Sequence, residues 1–422
     1  MLSLVFFCFI QTEEVALEPL VRSCNSSVLK LPGGTYIGQN IDTHPSAVFP
    51  FMVTGERNDT VTLKSSSETS PLFFLVQGNL GLVQLSIIAP KSSCLVLSIA
   101  QTVSLWRVHH AYTQLNFPLV ELSDCHGQLI DCTFTPGSRF SSSLFHFSEN
   151  RTDDQQNVMS MQNSTISDIT MTAAVPFIAS GPVFRVEDFL NTYERIKFAS
   201  NLTRSVYSAD VKVAAPRRAD VSHSTFKECD GPLNGGIFFY LQCVEVTLRE
   251  INVEKCTNTV PGLFYDPSET CEIKIIQSTF THCTTPSTSP NGSALFINHT
   301  ASLTLERVTF SNNTASHSGG ALYVSDKCQS LNLSSSYFHF NRASFGGAVG
   351  VGWNPTINKR YMRFSSCQFA NVGRSGSDII FDDIAGLNIT QLTFLGCKSR
   401  SASPRVFDSK SRKGYDWTNS EI

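Results

Sequence analysis

Apolar residues recur along this chain with one short and one long spacing. Apolar pairs two positions apart, such as Val246 and Leu248, place both side chains on one face of a β-strand. Five residues after the second member of such a pair comes an apolar, mostly aromatic residue, here called the anchor, and anchors recur every 23 to 32 residues. The spacing selects as anchors Ile87, His110, Phe134, Ile166, Phe198, Phe226, Val253, Phe280, Phe310, Phe338, Phe369 and Phe394. A unit this short cannot bury its apolar face alone, so copies must stack.

Each anchor is followed, three residues later, by a position of a different chemical kind. That column holds Asn201, Cys229, Cys256, Cys283, Asn313, Asn341 and Cys397, and Val372 interrupts it. An inward Asn side chain bonds turn backbone and stacks on its neighbour in the next copy, and Cys replaces it as a small residue that tolerates burial. A polar loop and a second short strand, as at Leu322-Tyr323, follow.

Two solenoid folds are compatible with this sequence repeat. The segment Ile389-x-x-Leu392-x-Phe394-x-x-Cys397 matches a leucine-rich repeat as far as the Cys. The large apolar residue required two positions later is missing, and no helical period follows. The sequence therefore predicts an all-β, right-handed, single-stranded parallel β-helix of about 12 rungs, roughly 55–60 Å long.

Two copies of the repeat contain all of its motif residues, and these copies carry a family resemblance. Phe310-x-x-Asn313 is followed by Gly319-Gly320-Ala321-Leu322, and Phe338-x-x-Asn341 by Gly346-Gly347-Ala348-Val349. This pairing resembles the repeat of the polymorphic outer membrane protein family, within the right-handed pectin-lyase-like β-helices. The resemblance extends in phase over roughly residues 190–400. It implies a secreted or surface-exposed protein involved in adhesion.

The chain divides by composition into four segments. Residues 1–17 contain the apolar run Leu2 to Ile10, which has the length of a signal-peptide core, and residues 24–80 are predicted to hold the N-terminal cap and first rungs. The repeats occupy residues 81–408, and 409–422 form a polar tail. No segment reaches the 18 or so apolar residues of a membrane-spanning helix. We therefore expect an extracellular or cell-surface location.

The charge balance narrows the partners. Lys and Arg total 32 against 35 Asp and Glu, so the net charge is −3, and charged residues are only 16% of the chain. This balance argues against a general nucleic-acid binder. The expected partner is an extracellular glycan or a protein surface.

Thirteen cysteines become twelve if Cys8 leaves with a signal peptide, an even number that fits an oxidising compartment. Cys243, Cys271 and Cys328 form a second column nine or ten residues before their anchors. Stacked rungs bring Cα atoms within disulfide range, and Cys243–Cys271 is the favoured bond because it lies at a turn. Stacked free thiols remain the alternative. Metal binding is disfavoured because no C-x-x-C occurs.

Sequons for N-glycosylation are frequent in this Ser- and Thr-rich chain. The sequon at Asn201 falls on the inward column, where a glycan has no room. The remaining candidates are Asn25, Asn58, Asn150, Asn163, Asn291, Asn298, Asn312, Asn332 and Asn388.

The alternative function is a polysaccharide lyase or glycoside hydrolase acting on acidic polysaccharide. Arg195-Ile196-Lys197, Asp382-Asp383 and His126-Gly127 resemble fragments of polygalacturonases, but in the wrong chain order. Glu245 and Glu272 both lie eight residues before their anchors and should stack about 4.8 Å apart. Like charges that close require a cation such as Ca²⁺ or a raised pKa. Glu245, Glu272 and Asp382 are thus the weak catalytic candidates. No cofactor is expected apart from this possible Ca²⁺.

Overall fold

The structure is a computed structural model, and the account of it is limited to the following residues. The described residues are 14–24, 28–39, 41, 51–55, 60–66, 72–75, 78–88, 95–98, 100–115, 120–123, 126–140, 145–148, 157–168, 170–171, 177–180, 184–194, 197–198, 207–209, 218–229, 245–257, 272–285, 292, 294–352, 361–373, 379–382, 392–395, 398–399, 405–408 and 413–416.

Short strands make up almost all of the described secondary structure, with one helix, α1 (Leu17–Ser23). The first strands are β1 (Val15–Ala16), β2 (Val28–Leu31), β3 (Gly34–Gly38), β4 (Phe51–Gly55), β5 (Val61–Ser65), β6 (Phe73–Leu75), β7 (Gly78–Val83), β8 (Ser86–Ile88), β9 (Leu95–Ser98), β10 (Ala100–Trp106), β11 (His109–Leu115), β12 (Val120–Ser123), β13 (His126–Ile130) and β14 (Thr133–Phe140). The middle strands are β15 (Phe145–Ser148), β16 (Asn157–Gln162), β17 (Thr165–Ser167), β18 (Thr170–Met171), β19 (Phe177–Ser180), β20 (Phe184–Phe189), β21 (Thr192–Glu194), β22 (Lys197–Phe198), β23 (Tyr207–Ala209), β24 (Arg218–Ser222), β25 (Thr225–Lys227), β26 (Glu245–Arg249), β27 (Asn252–Glu254) and β28 (Glu272–Ile276). The last strands are β29 (Thr279–Thr281), β30 (Leu295–Glu306), β31 (Thr309–Ser311), β32 (Leu322–Ser334), β33 (Tyr337–Ala343), β34 (Val349–Gly352), β35 (Tyr361–Ser365), β36 (Gln368–Gly373), β37 (Ile379–Asp382), β38 (Leu392–Leu395), β39 (Lys398–Ser399), β40 (Arg405–Asp408) and β41 (Lys413–Asp416).

Apart from β40 and β41, the described strands pair with the equivalent strand of a neighbouring copy rather than with their own chain neighbour. Among the described strands all pairings are parallel except that of β40 with β41. Two columns of strands matter most for the site. The anchor face carries the anchors, as in β25, β27, β29 and β31, and the leading face carries the apolar pairs before them, as in β24, β26 and β28. This is a parallel β-helix, the predicted fold class.

The register follows the predicted anchors through most of the chain. Consecutive pairings join Ile87, His110, Phe134, Ile166, Tyr193, Phe226, Val253, Phe280, Phe310, Phe338, Phe369 and Ser399.

Two predicted anchors are wrong. Tyr193, not Phe198, pairs with Ile166 and Phe226, and Phe198 lies one strand later against Met171. Phe394 pairs with Phe364, so it lies five residues before the anchor position. In both rungs a polar residue takes a normally apolar place: Asp188 pairs with Met161, and Ser399 pairs with Phe369. Tyr193 and Phe198 fit the anchor spacing equally well, and Phe394 fits it because the true anchor position is occupied by the polar Ser399.

The anchors form the centre of the core by stacking directly on one another. The ring centroids of Tyr193 and Phe226 lie 4.5 Å apart, those of Phe280 and Phe310 lie 5.1 Å apart, and those of Phe310 and Phe338 lie 5.0 Å apart. Each of these rings is fully buried. An aromatic pair of this kind adds about 0.5–1.5 kcal/mol beyond the area it buries. At the N-terminal end, Leu17 and Val21 of α1 are also buried, next to β1 pairing with β3.

The corners are made by residues in the left-handed backbone region that are not glycine. The residue three before the anchor adopts φ of 47° to 58° in rung after rung, as at Gln84, Arg107, Asp131, Asn163, Leu190, His223, Glu250, Gln277, Arg307, Ser335 and Ser366. Its backbone N–H donates to a carbonyl of the next rung, as from His223 to Arg249 at 2.9 Å. This bond offsets the roughly 1 kcal/mol that the conformation costs a residue with a Cβ. The side chains at these corners therefore point away from the core.

Candidate functional site

The inward column three residues after the anchor is a chain of buried amides. The Asn313 side-chain Nδ2 donates to the carbonyl of Phe280 at 3.0 Å and to Asn341 Oδ1 at 2.9 Å. Its Oδ1 accepts the backbone N–H of Cys283 at 2.9 Å. Asn341 donates in the same way to the carbonyl of Phe310 at 3.0 Å. Because these groups are fully buried, the amides satisfy backbone atoms that water cannot reach.

The cysteines of this column do the same task with a weaker donor. The Cys229 thiol donates to the carbonyl of Tyr193 and the Cys256 thiol to that of Phe226, each at 3.6 Å. Both carbonyls belong to the anchor of the preceding rung, as they do for the Asn residues. Burial raises the pKa of Cys283 to about 12 and holds that of Cys256 well above its usual range. These are free, protonated thiols. Asn201 and Cys397 lie outside the described residues, and their assignment rested on the misplaced anchors Phe198 and Phe394.

A second inward column, two residues before the anchor, was not expected. Here the Ser164, Ser278 and Ser336 hydroxyls accept the backbone N–H groups of Cys132, Ile251 and Val308 at 3.1 to 3.2 Å. Asn191 links two rungs, because its Oδ1 accepts from Ser164 N and its Nδ2 donates to Met161 O. The sequence signal was a small polar residue recurring at this phase, hidden by the Val and Ile residues that share the column.

The glycine pair of the intact repeat is required by the backbone. Gly319 has φ of 65°, which favours glycine. A Cβ on Gly320 would collide with the carbonyl oxygen of Gly347 in the next rung. The motif thus marks a close approach of two backbones rather than a ligand site.

Glu245 and Glu272 are paired in register on the outward side of the leading face. Lys274 lies between them, with Nζ 2.9 Å from Glu245 Oε1 and 3.7 Å from Glu272 Oε2. Arg218 Nε lies 3.5 Å from Glu245 Oε2. The hydrogen bond from Lys274 lowers the pKa of Glu245, and the same bond raises the pKa of Lys274. Two basic side chains of the protein therefore fill the role that the sequence left to Ca²⁺, and within the described residues no group of His, Cys, Asp and Glu is arranged to hold a metal ion.

The other catalytic candidates are not brought together. Asp382 ends β37 and pairs with Gly352, far along the chain from the Glu pair. Asp383, Arg195 and Ile196 lie outside the described residues, and Lys197 lies in β22. His126 Nδ1 accepts the backbone N–H of Val158 at 3.1 Å, which is a structural contact.

The predicted modification sites are only partly visible. Cys243 and Cys271, the favoured disulfide, lie outside the described residues, and Cys328 is buried with its thiol 3.3 Å from the Ser330 carbonyl. Asn163 and Asn312 are exposed at left-handed corners, whereas Asn332 is half-buried in β32. Asn298 lies in β30. The sequons at Asn25, Asn58, Asn150, Asn291 and Asn388 fall outside the described residues.

Two consecutive rungs carry outward aromatic side chains, which we call the aromatic corner: Tyr337, His339, Phe340, Phe345 and His317. Phe340 is 63% exposed at a left-handed corner, and Tyr337 and Phe345 are 38% and 36% exposed. Tyr337 stacks on His339 with centroids 6.0 Å apart, and His317 meets Phe345 edge-on at 5.1 Å. Large apolar side chains this exposed on a rigid edge are typical of a contact surface.

Comparisons with known proteins gave one match to a family repeat and a few similar solved structures. Residues 307–325 match the repeat of the Chlamydia polymorphic membrane proteins. A search of curated proteins found no significant match. Among solved structures, tailspike protein 3 of bacteriophage CBA120 is similar at 13% identity and a TM-score of 0.45, over 96% of this chain and 67% of the tailspike chain. The PL6-family alginate lyase AlyGC is similar at 10% identity and a TM-score of 0.19, over 94% of this chain and 88% of the lyase.

The matched segment contains the anchor Phe310, the inward Asn313 and the glycine pair, whose structural roles are described above. In the described part of the chain no helix is long and apolar enough to cross a membrane. The chain carries the repeat of the Chlamydia polymorphic membrane proteins, built into a parallel β-helix.

Proposed function

We propose that this protein is a secreted or cell-surface recognition rod that acts by adhesion and not by catalysis. The repeat supports a surface location, because the matched model describes a family of membrane proteins. Removal of a signal peptide and glycosylation of exposed sequons such as Asn312 belong to the same proposal. The last residues of the predicted segment 1–17 would remain in the mature protein, because Val15 and Ala16 pair with β3 and Leu17 is buried. Its partner is an extracellular glycan or a protein surface.

The observation that carries the proposal is that different residues of the repeat build the core and face the solvent. Phe310, Asn313 and Gly320 are buried and bond or pack against the backbone of neighbouring rungs. The outward residues of the same rungs are not needed for that task, yet they include the aromatic corner. An aromatic side chain as exposed as Phe340 weakens solubility without adding to the core, so a contact made with another molecule is its best physical explanation.

The test is binding of the purified chain to a panel of extracellular-matrix proteins and of neutral and acidic polysaccharides. The double variant Phe340→Ser, Phe345→Ser should lose about tenfold or more of the affinity for whichever surface binds. Leu190→Ser is the matched control, since Leu190 is a similarly exposed apolar residue at another corner. Binding that resists the double variant would refute the aromatic corner as the contact surface.

The alternative is a polysaccharide lyase or hydrolase centred on Glu245, Glu272 and Lys274, and its support is their joint position on one outward face. A general base works best with a pKa near the working pH. Here Glu245 raises the pKa of Lys274, which keeps the amine protonated. Release of reducing or unsaturated ends from the same polysaccharides, with and without Ca²⁺, would overturn the adhesion proposal.

A further inference from the structure

An apolar strip lies on the outside of the rod in its N-terminal part. Val83, Trp106 and Ile130 are paired across consecutive rungs of the leading face and alternate with inward residues such as Leu105. Trp106 is 46% exposed, and its two neighbours are half-buried. In the next rung the same column continues with the polar Gln162, so the strip is a local feature of three rungs.

A polar row runs directly beside this strip. Gln84, Arg107 and Asp131 each follow a strip residue by one position, and Asn163 follows Gln162 in the same register. All four lie at left-handed corners that project the side chains outward. Asp131 connects the row: its Oδ1 accepts from Asn163 Nδ2 at 2.8 Å, and its Oδ2 accepts from Trp106 Nε1 at 3.3 Å and Arg107 Nε at 3.4 Å. The Arg107 guanidinium lies over one face of the Trp106 ring, 5.3 Å from its centre, so a ligand would stack on the opposite face. The indole is therefore held in one orientation before any ligand arrives.

The chemistry of this surface favours an uncharged ligand with both apolar faces and hydroxyl groups. Arg107 and Asp131 offset each other, so the row offers donors and acceptors without a net charge. The hydrogen bond from Asn163 lowers the pKa of Asp131, which keeps that carboxylate ionised and the charges balanced. A fixed indole ring stacks on the C–H face of a pyranose, and amide, guanidinium and carboxylate groups beside it match sugar hydroxyls. An anionic sugar would gain nothing from a row that is already neutral.

We infer that the strip Val83–Trp106–Ile130 and the row Gln84–Arg107–Asp131–Asn163 form a binding site for a neutral glycan, with a sugar ring stacked on Trp106. The inference rests on the proposed recognition function, for which it names one ligand class. The site lies on the opposite edge of the anchor face from Phe340 and about eight rungs away, roughly 38 Å along the rod. The two surfaces can therefore be tested separately.

The experiment is calorimetric titration of the full chain with oligosaccharides from cellulose, xylan, mannan and β-1,3-glucan, beside alginate and polygalacturonate oligomers. At least one neutral oligosaccharide should bind and change the tryptophan emission. Trp106→Ala should weaken that binding about tenfold or more, and Trp106→Phe should retain part of it. Raising NaCl tenfold should change the affinity less than about twofold, because no net charge is involved.

Several outcomes overturn the inference: no neutral oligosaccharide binds, only the acidic oligomers bind, or Trp106→Ala and Trp106→Phe both bind as the parent chain does. The matched control is again Leu190→Ser. If Phe340→Ser, Phe345→Ser abolishes adhesion while no neutral sugar binds, the glycan site fails and the recognition rod stands. If neutral sugars bind through Trp106 while the double variant leaves adhesion intact, the aromatic corner fails instead.

Discussion

The rungs between residues 218 and 315 end the anchor strand early, whereas the rungs between residues 100 and 140 let it run on. In the first region β25, β27, β29 and β31 are each three residues long and are followed by a left-handed residue, such as Glu228 or Asn312. In the second region β11 and β14 continue for seven and eight residues. Of these two regions, only the first has a buried Asn or Cys three residues after the anchor.

The corner before the anchor, in contrast, is the same in both regions. Ser164 accepts the backbone N–H of Cys132 in one region, and Ser278 accepts that of Ile251 in the other. The difference therefore teaches that the two corners are fixed independently. In the first region each anchor strand ends before a buried Asn or Cys. In the next rung β33 continues past Asn341 to Ala343, although Asn341 also bonds the preceding anchor carbonyl, so the inward side chain fixes the corner without alone ending the strand.

The largest expected effect comes from removing one amide of the inward column. Asn313→Ala leaves the N–H of Cys283 and the carbonyl of Phe280 buried without their partner, and each such group costs about 1–3 kcal/mol. We expect the free energy of unfolding to fall by about 3 kcal/mol, measured by urea denaturation. Asn252→Ala, at a half-buried outward position, is the control. An unchanged urea midpoint for Asn313→Ala would show that the buried amide does not hold the corner of the first region.

How much of the fold could be predicted from the sequence depends on whether a feature repeats one residue type at one spacing. Anchors such as Phe280, Phe310 and Phe338 were found because stacking repeats one residue type at one spacing. Tyr193 was missed because Phe198, five residues later, fitted equally well, and only the pairing with Ile166 decides between them. The left-handed corners gave no signal, since their outward side chains range from Gln84 to Leu190.

The candidate sites show the same limit. The register of Glu245 with Glu272 followed from spacing alone, but Lys274 between them was overlooked, although a position two residues after Glu272 faces the same side. The apolar strip around Trp106 and the aromatic corner depend on which side chains a corner turns outward. That information lies in backbone angles of neighbouring rungs and not in the order of residues.

The thiols of the inward column should make the first region sensitive to alkali. The unfolded thiol titrates near pH 9, whereas burial raises the pKa of Cys283 to about 12. Since the folded pKa is the higher one, the stabilisation is complete below pH 9 and is lost as the pH rises toward 12. At pH 10.5 the loss is about 2 kcal/mol for this thiol. Cys283→Ser should lose less stability than the parent chain between pH 8.5 and 10.5. Equal losses would show that Cys283 titrates normally.

A smaller effect is expected from exchanging the two donors of the column. Asn313→Cys retains a donor of the kind that Cys256 directs at the carbonyl of Phe226. It still loses the acceptor for the N–H of Cys283, so we expect about 1–2 kcal/mol of destabilisation, less than for Asn313→Ala. The ranking in urea denaturation is the measurement. If Asn313→Cys is destabilised as much as Asn313→Ala, then Asn and Cys are not equivalent donors in this column, and they have two distinct roles there.

The smallest effect should come from the outward ion pairs, which lie in the same rungs but outside the columns. Lys274→Met removes the positive charge between Glu245 and Glu272, whose side chains are 28% and 53% exposed. Water screens groups this exposed, so the loss of stability should stay below about 1 kcal/mol. The pKa of Glu245 should rise, because its main hydrogen-bond donor is gone.

Calcium ions should then stabilise Lys274→Met against thermal unfolding more than they stabilise the parent chain, since two stacked carboxylates attract a divalent cation once the ammonium is removed. Arg307→Met, which removes an outward ion pair with the single carboxylate of Glu306, is the control that should not respond to calcium. A loss of several kcal/mol would mean that outward charges, and not only inward amides and thiols, hold these rungs in register.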